Sequence, residues 1–160
     1  MTNLAPLMSS ADPTWRTPDN VLEPVRSIAP IGLDPATDSE NPTRANMYYT
    51  PATSGLVLGW SGFGLVYCNP PYGRVIGPWV ERMAWFGNLH ETEVIGLVPA
   101  RVDTAWWQDN IVTAAAICFW RGRLKFKGAK DAAPFPSALA YWGPRPERFR
   151  EVFGPHGWIP

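Results

Sequence analysis

Residues Leu65–Met83, LVYCNPPYGRVIGPWVERM, put two prolines and a tyrosine directly behind a run of apolar residues. The run ending at Cys68 reads as a buried strand, and GPWVERMAWFG, from Gly77 to Gly87, reads as a helix. A strand entering a hairpin would more often close with Gly, Asn or Asp. Pro70 and Pro71 instead fix φ and remove two N–H donors, so the connection is stiff and offers carbonyls.

The pattern repeats on both sides of this segment. TEVIGLVPA reads as a strand and TAWWQDNIVTAA as a helix, while AAICFWRG, RLKFKG and PSALAYWG read as three further strands. Upstream, TPDNVLEPVRSI reads as a helix capped by Thr17, with Pro18 in its first turn and Asp19 complementing its dipole, and Pro24 keeps it short. PIGLDPA supplies a brief strand, Ile31 to Leu33, closed by Asp34-Pro35. The polar stretch from Thr37 to Leu56 is mostly loop, and PRPERFREVFGPHGWIP holds a short amphipathic helix, Pro146 to Phe153, before a loose end. Strands alternating with helices imply an α/β sheet with its ligands at the carboxyl ends of the strands. The expected organisation is a loose arm over residues 1–14, one domain over 15–153 and a tail over 154–160.

Bulk properties limit what such a domain can do. With 160 residues, 46% of them hydrophobic and 18% charged, the chain is a globular single domain rather than a disordered one. Nine tryptophans suit core packing first and base stacking second. A formal net charge of +0 removes the general basic balance of nucleic-acid binders, so any polyanion site has to be local. Cys68 and Cys118 lie far apart without a C-x-x-C pair, which favours buried thiols over a metal or disulfide framework. No apolar run reaches the length of a membrane span and the first residues lack a signal pattern, so a soluble, cytoplasmic protein without membrane contact is expected.

Asn69-Pro70-Pro71-Tyr72, placed at the end of a strand, is suited to one chemical task. An amino group on a planar ring has two N–H donors; the Asn69 side-chain oxygen and the Pro70 carbonyl can accept one each, while Tyr72 lies flat against the ring. The nitrogen is then held still with its lone pair aimed at an electrophile, and neither a metal nor a general base is needed.

This motif resembles the catalytic motif of S-adenosylmethionine-dependent amino-methyltransferases. WRTPDNV, GLDPATDSENP, GWSGFGLVYCNPPYG, IGPWVERM, LVPARVDTAWW, WRGRLKF and APFPSALAYWG, in this order, resemble the phage-type DNA N6-adenine methyltransferases over roughly Trp15 to Gly143. The resemblance implies a compact Rossmann-like sheet with helices on both faces and some strands missing, S-adenosylmethionine as cofactor and double-stranded DNA as partner. It implies a catalytic role for Asn69, Pro70, Pro71 and Tyr72. Thr17 and Pro18 are implied at the cofactor carboxylate, Asp34 and Ala36 at the first cofactor motif, and Arg101 with Asp103 beside the cofactor; Asn69 also adjoins it.

The chain departs from the pattern in places. DPATDSENP has no glycine turn, Asp38 and Glu40 are the candidates for the ribose, and Ser54 stands before Gly55-Leu56 where the family often has an acidic residue. RGRLKFKGAK carries Arg121, Arg123, Lys125, Lys127 and Lys130 with no acid, the cluster most suited to phosphates; strand alternation would put Arg121, Arg123 and Lys125 on one face. A solvated edge strand explains the same charges. So short a chain has little room for a separate recognition domain, and a homodimer is one way to extend its surface. Two other readings stay open: a methyltransferase of an RNA base or a protein glutamine, and a degenerate DNA-binding relic.

Overall fold

The computed structural model describes residues 16–89 and 91–160; the arm over 1–14 and Trp15 lie outside the described residues. Seven strands form one sheet: β1 (Ile31–Asp34), β2 (Met47–Tyr48), β3 (Leu65–Cys68), β4 (Glu93–Pro99), β5 (Ala116–Trp120), β6 (Ser137–Trp142) and β7 (Gly157–Trp158). Their order is β2-β1-β3-β4-β6-β5-β7. The first four pair in parallel and β6, β5 and β7 pair antiparallel. The helices are α1 (Asp19–Ile28), α2 (Ile76–Gly87), α3 (Ala105–Asn110) and α4 (Pro146–Phe153). The arrangement is α/β and consistent with a compact Rossmann-like methyltransferase fold.

Adjacent side chains of β6 locate the helices. Tyr141 stacks on Phe149 of α4, whereas Trp142 covers Gly87 of α2. Neighbouring residues of a strand point to opposite faces, so α4 and α2 lie on opposite sides of the sheet. In α2 the buried residues Ile76, Trp79, Val80, Met83, Ala84 and Gly87 recur at helical spacing, which gives one apolar face. β1, β3, β4 and β6 are buried along their whole length, as expected for strands covered on both faces.

Several local expectations are corrected. Pro18, not Thr17, occupies the cap position of α1, and the Thr17 hydroxyl is turned into the protein. Pro24 lies inside α1, which spans 10 residues and is short as expected; burial of Val21, Leu22, Val25 and Ile28 on one face offsets the hydrogen bond that proline gives up. The helix ends where Ala29, preceding Pro30, is extended. α3 is shorter than the pattern implied, closing in a 3-10 turn over Ile111–Thr113. RLKFKG is not a strand; it is an extended segment whose backbone makes one isolated bridge, Lys127 to Arg16. The end is not loose, because Gly157–Trp158 pairs with β5, Trp158 stacks on Phe119 and His156 stacks on Trp120.

An ion pair closes the base of the sheet. Arg145 Nη2 donates to Glu93 Oε1 at 2.8 Å, Arg145 Nε to Glu93 Oε2 at 3.2 Å, and Arg145 Nη1 to the Ile28 carbonyl at 3.1 Å. This joins the start of β4, the end of α1 and the start of α4. Replacing Glu93 with Ala leaves the guanidinium without its bidentate partner, with an expected loss of about 1–3 kcal/mol in denaturant unfolding.

Candidate active site

β1 and β3 are neighbours, and the chain leaves β1 toward β2 on one side before returning as β3 on the other. The sheet therefore splits at their carboxyl ends, where an α/β fold opens its crevice. A cavity of about 380 Å³ lies there, lined by residues that include Thr17, Asp34, Ala36, Asn69, Pro71 and Trp79. Five of the expected site residues thus converge on one space from three separate parts of the sequence.

Asp34, the last residue of β1, is 2% exposed. Its Oδ1 accepts from Ala36 N at 3.1 Å and its Oδ2 from the Thr43 hydroxyl at 2.8 Å. Burial is the main reason its pKa is pushed up to about 6, against the opposing effect of those hydrogen bonds. None of the ion pairs among the described residues includes it. A buried carboxylate of this kind fits a cationic ligand group, and the flanking Pro35, Pro51, Pro71, Gly55 and Trp79 fit a flat, largely apolar remainder.

Asn69 follows β3 and is buried. Its Nδ2 donates to Thr17 Oγ1 at 3.3 Å, and Thr17 Oγ1 lies 2.8 Å from the Tyr67 hydroxyl. Tyr67 and Asn69 are two residues apart, which brings both side chains to the same side of the strand. Pro70 is buried and Pro71 half-buried behind them.

The chain between Thr17 and Asn69 and the cavity beside Asp34 agree with a wider match. The model of the family DNA N-6-adenine-methyltransferase (Dam) matches residues 6–138. The chain belongs to the Dam family. A protein of Escherichia coli (strain K12) named "Putative methyltransferase YfdM" is 35% identical over 71 residues, covering 41% of this chain and 71% of its own length. No solved structure matches.

The remaining motif residue of this Dam-family chain is placed differently from the expectation. Tyr72 is 3% exposed and does not line the cavity; its hydroxyl donates to the Leu97 carbonyl at 3.3 Å, and Phe135 and Phe126 meet it edge-on, with centroids 5.6 and 6.3 Å away. Its ring is part of the core here, so a base stacking on it requires those neighbours to shift. Tyr72→Ala would leave a void worth about 3–5 kcal/mol, whereas Tyr72→Phe loses one hydrogen bond, about 1 kcal/mol. The Phe variant is therefore expected to fold with a thermal midpoint close to wild type, while the Ala variant unfolds at distinctly lower temperature.

Arg101 and Asp103 are exposed on the turn after β4 and are not among the cavity residues. Pro18 is likewise outside the lining. Asp38 and Glu40, the ribose candidates, both hold Arg16: its Nη2 lies 2.9 Å from Asp38 Oδ2 and 2.7 Å from Glu40 Oε2. Asp38 and Arg16 line the cavity, as do Ser54 and Gly55. At Gly55 a Cβ would overlap the Pro35 carbonyl, which is why this loop can close against the end of β1.

Arg121, Arg123, Lys125, Lys127 and Lys130 are exposed, whereas Leu124 and Phe126 between them are buried. The alternation thus survives without a strand ladder, and it places Arg123, Lys125 and Lys127 outward together. Lys127 lies 3.7 Å from Asp19 of α1. Sequence reasoning missed Arg16, Thr43, Tyr67 and Trp79. Only Trp79 had a visible signal, its place on the inner face of α2; the others are defined by contacts across 9 to 50 residues of chain. Among the described residues, no helix is long and apolar enough to cross a membrane and no group of acidic, His or Cys side chains could hold a metal ion.

Proposed function

We propose that this Dam-family protein transfers a methyl group from S-adenosylmethionine to N6 of an adenine turned out of double-stranded DNA. The observation that carries the reading is the convergence of the buried Asp34 carboxylate, Asn69 and Pro71 on one cavity. There Asp34 would hold the cofactor ammonium and the amino end of α1, beside Thr17 and Pro18, its carboxylate. Ser54, Gly55 and Trp79, which line the cavity, would border the adenosine, and Asp38, also in the lining, would hold the ribose. When bound, the cofactor supplies an electrophilic methyl on a sulfonium.

The chain's own part is to hold and aim. Asn69 Oδ1 and the Pro70 carbonyl accept the two protons of the target amine, directing the nitrogen lone pair at the methyl. Flipping an adenine costs a few kcal/mol, and Tyr72 stacks on the base only where Phe126 and Phe135 move aside from its ring. Arg121, Arg123, Lys125 and Lys127 meet phosphates, and Arg101 and Asp103 belong to the same carboxyl edge of the sheet. A homodimer would extend the contacted DNA.

Incubation of the protein with tritiated S-adenosylmethionine and, separately, duplex DNA, RNA and a protein extract tests the acceptor class. Label in duplex DNA is expected; label in RNA or protein alone would replace the acceptor, and absence of cofactor binding would leave only a DNA-binding relic. Charge reversal at Arg123 and Lys125 together is expected to reduce the slope of log affinity against log salt by about 2. An unchanged slope would remove that segment from the interface.

A further inference from the structure

Thr17 stands between two groups that compete for its single proton, and the outcome decides which end of the Asn69 amide is presented to the target. Thr17 Oγ1 accepts from Asn69 Nδ2 at 3.3 Å and lies 2.8 Å from the Tyr67 hydroxyl. Tyr67 is 0% exposed and Thr17 6% exposed, so water does not mediate these contacts. Tyr67 plays no part in the steps described above.

We infer that Tyr67 is a positioning residue for methyl transfer: with Thr17 it fixes the Asn69 amide with Nδ2 inward, so that Oδ1 is the end that accepts from the target amine. This rests on the reading of Asn69 proposed above. The donation that does this runs from Thr17 to Tyr67: it spends the Thr17 proton, so Thr17 meets Asn69 as an acceptor, and only the NH₂ end of the amide satisfies an acceptor.

Removing the Tyr67 hydroxyl releases this constraint. In Tyr67→Phe the Thr17 hydroxyl is free to rotate and donate to Asn69, which admits the reversed amide with Oδ1 inward and NH₂ toward the target. An NH₂ facing an amine repels its protons instead of accepting them. The substitution removes a single oxygen from the core, so the fold is kept.

The test combines kinetics with a spectroscopic reading of the amide. In Tyr67→Phe, kcat for DNA methylation is expected to fall about 10–100-fold with KM for cofactor and DNA changed no more than about twofold, the scale usual for groups that orient a reacting residue. Separately, ¹⁵N-detected spectra of the Asn69 side-chain NH₂ are expected to show slow solvent exchange in the wild type and a shifted, faster-exchanging signal in Tyr67→Phe. Wild-type kcat in Tyr67→Phe, or an Asn69 signal unchanged from wild type, would overturn the inference. The NMR measurement needs no turnover, so a wild type that fails to methylate DNA refutes the proposed function without obscuring this result.

Discussion

Asn69→Ala is expected to reduce methyl transfer about a thousandfold or more while leaving cofactor affinity within a few-fold of wild type. The two effects separate because Asn69 and Asp34 sit at the ends of different strands. Asn69 contributes an amide whose Nδ2 is held by Thr17, whereas the cationic end of the cofactor belongs to Asp34, fixed by Ala36 and Thr43. Single-turnover transfer together with calorimetric cofactor titration reads both quantities. Loss of cofactor binding in Asn69→Ala would place the amide in the cofactor site instead of on the reacting amine; full transfer by the variant would exclude it from the chemistry.

Asp34→Asn is expected to stabilise the unliganded protein at pH 8 while weakening cofactor binding about 100-fold or more, as removal of one member of a buried charge pair does. Burial raises the Asp34 carboxyl from its ordinary value of 3.8 to about 6. The folded state therefore binds more protons than the unfolded chain between these values, and stability falls as pH rises through them. The contribution is fully present below about 3.8 and lost above about 6, a difference on the order of 3 kcal/mol. Asn keeps an acceptor for Ala36 N without the charge, so the variant escapes this loss. In the wild type, protonation of Asp34 removes the partner of the cofactor ammonium, so affinity is expected to weaken as pH falls below about 6. Thermal melts and cofactor titrations between pH 5 and 8 check both signs; a variant no more stable than wild type at pH 8, with cofactor affinity intact, would show that Asp34 carries no isolated charge.

What was legible in the sequence is what local pattern encodes. The strand before Asn69, α2 with its helical apolar spacing, β4, β6 and α4 are long or strongly periodic, and each forms where its pattern lies. The clustering of Asp34 with Asn69 followed from the rule that α/β sheets open at the carboxyl ends of their strands. The misreadings share a different cause. Thr17 has the chemistry of a cap, but a tertiary bond to Tyr67 claims its hydroxyl and leaves the cap position to Pro18. Arg123 to Lys127 alternate like a strand, yet the sheet gives them no ladder, because β6 lies between β4 and β5 and β7 takes the outer edge of β5. The burial of Tyr72 against Phe126 and Phe135 was not legible either, because it comes from residues more than 50 positions away. Pairings at such separation leave no periodic trace in the chain.

The most direct test of the central claim is single-turnover transfer from S-adenosylmethionine carrying a trideuterated methyl to adenine-containing duplex DNA, followed by digestion to nucleosides and mass spectrometry. The account predicts trideuterated N6-methyldeoxyadenosine from the wild type and none above background from Asn69→Ala. Label on any other nucleoside, or equal label from both proteins, would contradict it.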